Sequence, residues 1–380
     1  MFPVEAIKHD CRHYTGYKPC GKAETCIDCP FYEPQGLRVL VLKLASMGDV
    51  LRTTSILSGL RKKHGRVHVT WVTAAESHEL IQEHPHIDRL LTYSAETLAI
   101  LLAEEFDLLL NFEKDPVACA LANIVRAKKK KGFCHSPAGA LDAFDADTHY
   151  ALQLGLDDEL KFRLNRKSYP EIIYEMAGMH YRGEEYHLPL SPVQQQWCRD
   201  FKAERYKRTE ETWVGVHTGC GRIFATKQWT MEGFAELIES LYGLDNVRVV
   251  LFGGPLEKEF NATLVKRCQS VYGGAALLDA GCDNSLGRFC ALVDACDVMV
   301  CADTLAMHVA IALRKRVVVF FGSTAEAEVD LFHRGRKIIS HFDCSPCYRS
   351  ACDQSPTCME ELAPVIVFHA VRREINILRA

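Results

Sequence analysis

Apolar residues in this chain fall into short, dense runs separated by stretches with helical spacing. Residues 37–44 form a nearly continuous apolar run, as in a strand buried on both faces of a parallel sheet. Residues 45–49 make a polar turn, and 50–63 then carry apolar side chains at helical spacing. Further strands are predicted at 67–73, 90–93 and 106–111, with helices between them, one around 76–83. A second start follows at 212–218, with a strand, a glycine-rich turn and a helix from Met231. Residues 247–254 read as a strand ending on a glycine pair, and 286–296 as an amphipathic helix. Residues 300–324 run strand, polar turn, helix, basic turn, strand and a Gly-Ser-Thr loop. This alternation predicts an α/β protein with doubly wound sheets in two lobes, whose ligand sits in the cleft between them.

Elsewhere the pattern is less regular. Residues 133–185 show weak periodicity and read as a long decorated region shaping an acceptor site. Residues 191–208 read as a helix leading into a linker, and 359–378 as a terminal helix. The run Arg126-Ala-Lys-Lys-Lys-Lys-Gly132 reads as a solvated turn, with an anionic acceptor or a membrane surface as the alternative partner. Residues 1–36 are too short and turn-rich to build an apolar core. The chain thus divides into a Cys-rich extension (1–36), a first lobe (37–205), a second lobe (206–358) and a terminal helix (359–380).

Composition narrows the class. The chain has 380 residues, 48% hydrophobic and 25% charged, which is ordinary for a soluble globular protein and long enough for two domains. A formal net charge of -4 gives no basic excess, so nucleic acid is not an expected partner. No apolar run approaches the ~20 residues that span a bilayer, and the first residues lack a signal-peptide core. The expected location is the cytoplasm, with peripheral contact at the inner face of the cytoplasmic membrane as the furthest reach. The 17 cysteines are many and odd in number. In a reducing compartment clustered cysteines suggest metal, and scattered ones core packing.

Two clusters stand out. Cys26 and Cys29 form a Cys-x-x-Cys knuckle that Cys11 and Cys20 complete to four thiolates; Cys344, Cys347, Cys352 and Cys358 repeat the arrangement near the end of the chain. Both fit structural zinc, with iron or an iron–sulfur centre using the same ligands, and both also fit reduced, metal-free loops.

The chemistry-bearing stretch is 300–324. Asp303 and Thr304 stand where a strand ends and a helix begins, and His308 lies one turn on, able to face the same side. A carboxylate, a hydroxyl, an imidazole and free helix N–H groups suit a sugar diphosphate. A capped helix with a buried histidine explains the same residues. Gly253 and Gly254 let a ligand approach the backbone, and His217 and Thr218 end a strand facing the cleft. Trp229 reads as a packing residue. The first strand–helix turn lacks Gly-x-Gly-x-x-Gly, which argues against a nicotinamide dinucleotide.

Taken in order, Leu42-Lys-Leu-Ala-Ser-Met-Gly-Asp-Val-Leu51, Lys227-Gln-Trp229, Leu251-Phe-Gly-Gly254, Asp303-Thr304 with Met307-His308, and Phe321-Gly-Ser-Thr324 resemble the ADP-heptose:acceptor heptosyltransferases, glycosyltransferase family 9. The resemblance covers residues 37–378, with the C-terminal Cys-Ser-Pro-Cys pattern, and leaves the N-terminal cysteines outside. It implies a GT-B fold, two Rossmann-like lobes around a cleft. It also implies inverting transfer of heptose from ADP-heptose to a lipopolysaccharide core-like glycan, lipid-linked or protein acceptor, without a catalytic cofactor. By this resemblance Asp49 is the general base and Lys227, beside Thr226, binds the diphosphate. Asp303, Thr304 and His308 hold the donor's heptose and phosphates. Asp49 also fits a helix cap, and Lys227 a surface lysine. Leu305 stands where the family usually has glycine, which leaves another nucleotide-sugar open. The competing readings are a metal-stapled GT-B scaffold without transfer activity and, on cysteines alone, an iron–sulfur redox protein.

Overall fold

The computed structural model describes residues 3–14, 16, 20–205, 211–221, 223–272 and 277–380. The linker expected to end the helix at Arg208 lies outside them. The first half runs β1 (Leu37–Leu42), α1 (Met47–Thr53), α2 (Ile56–His64), β2 (Val67–Thr73), α3 (Ala75–Ile81), β3 (Arg89–Thr92), α4 (Ala95–Ala103), β4 (Glu105–Asn111), α5 (Pro116–Ile124), β5 (Arg126–His135), β6 (Leu141–Ala143), α6 (His149–Gln153) and α7 (Tyr169–Met176). After α8 (Pro192–Arg205) the second half runs β7 (Thr212–His217), α9 (Met231–Tyr242), β8 (Val247–Phe252), α10 (Lys258–Tyr272), β9 (Leu277–Asp279), α11 (Leu286–Ala295), β10 (Val298–Ala302), α12 (Leu305–Ala312), β11 (Arg316–Phe321), β12 (Gly335–Ile339) and α13 (Pro364–Arg379).

The two sheets share one topology. Each has six strands, in the orders β3-β2-β1-β4-β5-β6 and β12-β11-β10-β7-β8-β9, so each winds outward in both directions from its first strand. Every named pairing is parallel except β5 with β6. Val39 through Leu42 and Trp213 through His217 are buried along their whole length, which is why these strands read as continuous apolar runs. This is the doubly wound, two-lobed α/β fold that the sequence predicts.

Three local expectations change. The predicted helix over 50–63 is two helices, because the chain breaks at Thr54 and Ser55, whose side chains are buried. Thr54 returns its hydroxyl to the carbonyl of Leu51 at 2.7 Å. The lysine run is not a turn but the first part of β5, paired with β4. Its charges are placed individually: Lys128 bonds Asp107 at 2.7 Å, and buried Lys131 is held by Asp145 and Asp147. Sheet pairing overrides the charge pattern because each lysine finds an exit or a carboxylate. Helix α8, although continuous with the first half, packs on α11, and its Phe201 meets Trp213 edge-on.

One apolar cluster runs through both lobes, joining Val50 and Leu51 of α1 to Ala306, Met307 and Ala310 of α12. Helix α13 closes the second lobe against α9, with Val367, Val371 and Ile375 buried and Glu374 paired to Arg316. Among the described residues no helix is long and apolar enough to cross a membrane.

Candidate active site

Both sheets turn their carboxyl ends to the same cleft. In each, strand order reverses between two neighbours, β1 and β4 in one and β7 and β10 in the other. Ligands of α/β folds bind outside the strand ends at such points. The loop after β1 supplies Lys43, the first turn of α1 supplies Asp49, and the loop after β4 supplies Glu113 and Lys114. The loop after β7 carries Thr218 and Lys227, and that after β10 carries Asp303 and Thr304.

On the first-lobe side, Lys43 Nζ lies 3.1 Å from Glu113 Oε2 and 3.9 Å from Asp49 Oδ2. Glu113 Oε2 also accepts the N–H groups of Leu44 and Ala45 at 3.2 and 3.1 Å, which fixes the turn. One turn along α1, Arg52 donates to Asp49 Oδ1 from Nε at 3.0 Å and Nη2 at 2.8 Å. Arg52 stacks 3.7 Å over the Tyr169 ring and reaches across the cleft to Glu328 at 3.5 Å. Burial by itself would raise the Asp49 carboxyl, but Arg52 and Lys43 outweigh it and hold it at about 2. These groups line a cavity of about 230 Å³ with Lys114 and Lys161.

On the second-lobe side, Lys227 Nζ donates to the Asp303 main-chain oxygen at 3.0 Å and to its carboxylate at 3.1 Å. Burial would raise Asp303, yet the Lys227 ammonium and its hydrogen bond keep it below the usual carboxylate range. Thr304 caps α12 in extended conformation without donating or accepting a side-chain cap bond. Its hydroxyl and that of Ser323 are buried without hydrogen-bond partners among the described residues, while the Thr324 hydroxyl faces the Asp303 carboxylate and helps to lower it. Buried hydroxyls rarely stay unpartnered, so that of Thr304, at a helix N-terminus and next to the Lys227–Asp303 pair, marks a place for a polar ligand. His308 is buried on α12, its Nδ1 3.4 Å from the Tyr186 hydroxyl. Desolvation, then Arg52, push its pKa down to about 4, against the pull of Asp303 and Asp49. The imidazole is therefore neutral near pH 7.

The structure thus brings Asp49, Lys227, Asp303, Thr304 and His308 to one cleft. The other sequence candidates have local engagements. Thr218 gives its hydroxyl to Asn261 at 2.6 Å, and the Gly254 N–H is taken by Glu257 Oε2 at 2.9 Å. A side chain at Gly253 would meet Glu257 and Thr218 at 3.0 and 3.1 Å. Thr226 bonds the carbonyl of Arg349 at 2.8 Å, tying its loop to the second cysteine segment. Leu305 packs against the shared apolar cluster. Trp229 is a core residue, as the sequence suggests. Sequence reasoning missed Lys43, Arg52, Glu113, Lys114, Lys161, Tyr169 and Glu328. Of these Lys43 lay within the Leu42–Leu51 motif and Arg52 stood three residues after Asp49 on one helix face; the others carried no signal.

Each cysteine cluster faces one cavity. Cys11, Cys20, Cys26 and Cys29 line about 380 Å³, and Cys344, Cys347, Cys352 and Cys358 line about 400 Å³. Among the described residues, no three ligating groups stand together at metal-binding distance.

The family 9 glycosyltransferase (heptosyltransferase) model matches residues 97–357, a span that includes Lys114, Lys227, Asp303, Thr304, His308 and Glu328. The chain belongs to glycosyltransferase family 9. Its architecture is GT-B, and solved structures agree. This family 9 protein superposes on a glycosyl transferase family 9 protein from Veillonella parvula DSM 2008 with TM-score 0.69 and 17% identity, over 90% of this chain and 97% of that one. For the E. coli ADP-heptose lps heptosyltransferase II the values are 0.68 and 16%, over 90% and 100%. For E. coli heptosyltransferase WaaC with ADP they are 0.58 and 17%, over 89% and 100%. At these identities the likeness is one of fold. Among curated proteins no sequence matches this one.

Proposed function

We propose that this family 9 transferase moves a heptose from ADP-heptose to a hydroxyl of an anionic, lipopolysaccharide core-like glycan, with inversion and without a catalytic metal. The observation that carries the reading is the Lys227–Asp303 pair at the α12 N-terminus, with the unpartnered Thr304 hydroxyl beside it and Asp49 across the cleft. In this reading the acceptor oxygen forms a bond to the anomeric carbon as the bond to the β-phosphate oxygen breaks. ADP leaves with that electron pair, and the acceptor proton passes to Asp49. Lys227 and the helix N-terminus stabilise the charge gathering on ADP. Lys114 Nζ donates to the Ala151 carbonyl at 3.2 Å, and Lys161 lies 4.3 Å over Tyr348. Among the described residues neither ammonium has a carboxylate within ion-pair distance, although Glu328 acts on Lys114 from further off, and this supports an acceptor carrying an anion.

The Arg52–Asp49 pair favours a second reading, a binder that no longer transfers, because a carboxylate held at about 2 is a weak base. ADP release from ADP-heptose with lipid-linked core acceptors, and its loss in Asp49→Asn, supports transfer. ADP-heptose binding without turnover on any acceptor supports the binder, and no binding of ADP or ADP-heptose rejects both. Contact with the inner membrane face would follow from a lipid-linked acceptor and is tested by vesicle sedimentation.

The C-terminal thiols belong to the same picture. Their loop is fixed to the donor loop through Tyr348 N to Ser323 O at 2.7 Å and Cys347 N to Ser323 O at 3.1 Å. A structural zinc or iron ion on Cys344, Cys347, Cys352 and Cys358 would stiffen that wall. Metal analysis with donor titration before and after chelation tests it.

A further inference from the structure

The N-terminal segment is folded but has nothing inside it. Among its described residues from 3 to 36, none is buried, and none contributes to the three apolar clusters of the protein. Ile27, Phe31 and Tyr32 are exposed. The segment has one short helical turn, Val4–Ala6, and one isolated bridge, Cys11 with Pro34. What the structure offers instead is polar: Arg12 N to Glu33 O and Gln35 N to Asp10 O, each at 2.8 Å, and Arg12 paired with Glu33 and Asp88. A unit of this size without an apolar core ordinarily needs a cross-link or a metal to hold one conformation.

Its four cysteines are placed to supply one. Cys11, Cys20, Cys26 and Cys29 all face the same cavity and are all half-exposed. Cysteines 119, 134, 198, 268, 282, 290, 296 and 301 are by contrast buried as small apolar residues. Asp28 takes a left-handed φ of 46°, turning the chain back between Cys26 and Cys29, and Gly21 does the same after Cys20 at 79°. Both turns stand beside cysteines that line the one cavity, and a thiolate knuckle needs such tight turns. The sulfurs do not converge, and among the described residues of the segment no side chain is buried, so none of these opposes their closing on an ion.

We propose that Cys11, Cys20, Cys26 and Cys29 hold one tetrathiolate metal centre, with zinc as the ion, that staples the N-terminal segment onto the first lobe. Its place says what it does. Arg12 reaches the carbonyl of Val67 at 3.1 Å and the side chain of Asp88, both at the amino-terminal end of the first sheet. The reacting groups stand at the carboxyl ends, one strand length of about 20 Å away. The centre is structural and takes no part in transfer.

The test uses the full chain with Cys344, Cys347, Cys352 and Cys358 replaced by Ser, so that only the first cluster can bind. Elemental analysis is expected to find one zinc per chain, lost when Cys26→Ser and Cys29→Ser are added; those two substitutions in the otherwise native chain should leave turnover unchanged. Cobalt loading should give the intense visible bands of tetrahedral thiolate coordination. If the multiply substituted chain does not fold, alkylation of the native protein followed by peptide mapping replaces it. Cys11, Cys20, Cys26 and Cys29 should then resist alkylation until chelator is added, when proteolysis within residues 3–36 should also accelerate. Absence of metal with no cobalt bands, an iron–sulfur absorption spectrum, or equal alkylation with and without chelator overturns the proposal.

Discussion

Gly48 on α1 and His308 on α12 touch across the cleft: a Cβ added to Gly48 would stand 2.6 Å from Cδ2 of the imidazole. Ala in place of Gly inside a helix ordinarily gains about 1 kcal/mol. Here the forced separation of two packed helices costs about 1–3 kcal/mol. Gly48→Ala is therefore expected to lower the unfolding temperature and to depress kcat/KM by moving Asp49 away from the donor. A raised Tm with unchanged kinetics would show that the two helices are not in fixed contact.

Thr304 separates stability from binding. Its hydroxyl is buried, makes no cap bond and has no partner among the described residues. Replacing an unpaired buried hydroxyl by an isosteric apolar group is neutral or stabilising, whereas a lost bond to a charged ligand costs about 1.5–3 kcal/mol. Thr304→Val should leave chemical denaturation unchanged or slightly improved while weakening ADP binding about 10- to 100-fold by calorimetry. Equal ADP affinity would place the donor elsewhere.

Arg52 sets the basicity of Asp49. With the carboxyl held at about 2, kcat/KM should show no acid limb from this group between pH 8 and pH 5. Arg52→Gln removes the strongest opposing charge, leaving Lys43, so the carboxyl should rise toward the ordinary range near pH 4. The pH–rate profile of the variant, compared with wild type, checks the shift. Coincident profiles would mean that Asp49 is not the group whose protonation limits turnover.

Three buried imidazoles make folding pH-dependent. Burial holds His84, His217 and His308 each at about 4, below the value of about 6.5 in an unfolded chain. Between those values the unfolded chain binds more protons, so stability falls as pH drops from about 6.5 to 4 and this contribution levels off below. Each histidine contributes on the order of 3 kcal/mol at most to that loss. Urea titrations across this range should show the slope, and His217→Phe should flatten it; a slope unchanged in the variant counts against His217.

Much of the fold was legible because parallel strands buried on both faces leave no choice but apolar runs. Val39–Leu42 and Val298–Ala302 announced themselves, and the residues after them followed as strand-end turns. The lysine run of β5 was illegible for the complementary reason. Its charges are answered by Asp107, Asp145 and Asp147, whose positions only the folded sheet reveals. Asp49, Lys227, Asp303 and His308 could be picked from local motifs, but Glu113 and Glu328 could not. Each lies far along the chain from the cation it meets.

The sequence by itself determined two repeated strand–helix lobes, the turns that present a carboxylate from each, and two sets of four thiols, because periodicity and spacing are properties of neighbours along the chain. Tertiary structure alone decided that Arg52 quiets Asp49, that His308 is neutral, and that the Thr304 hydroxyl stands unpartnered among the described residues. Desolvation and Coulomb attraction act through distances in space, and those are fixed only when the two sheets close on one cleft.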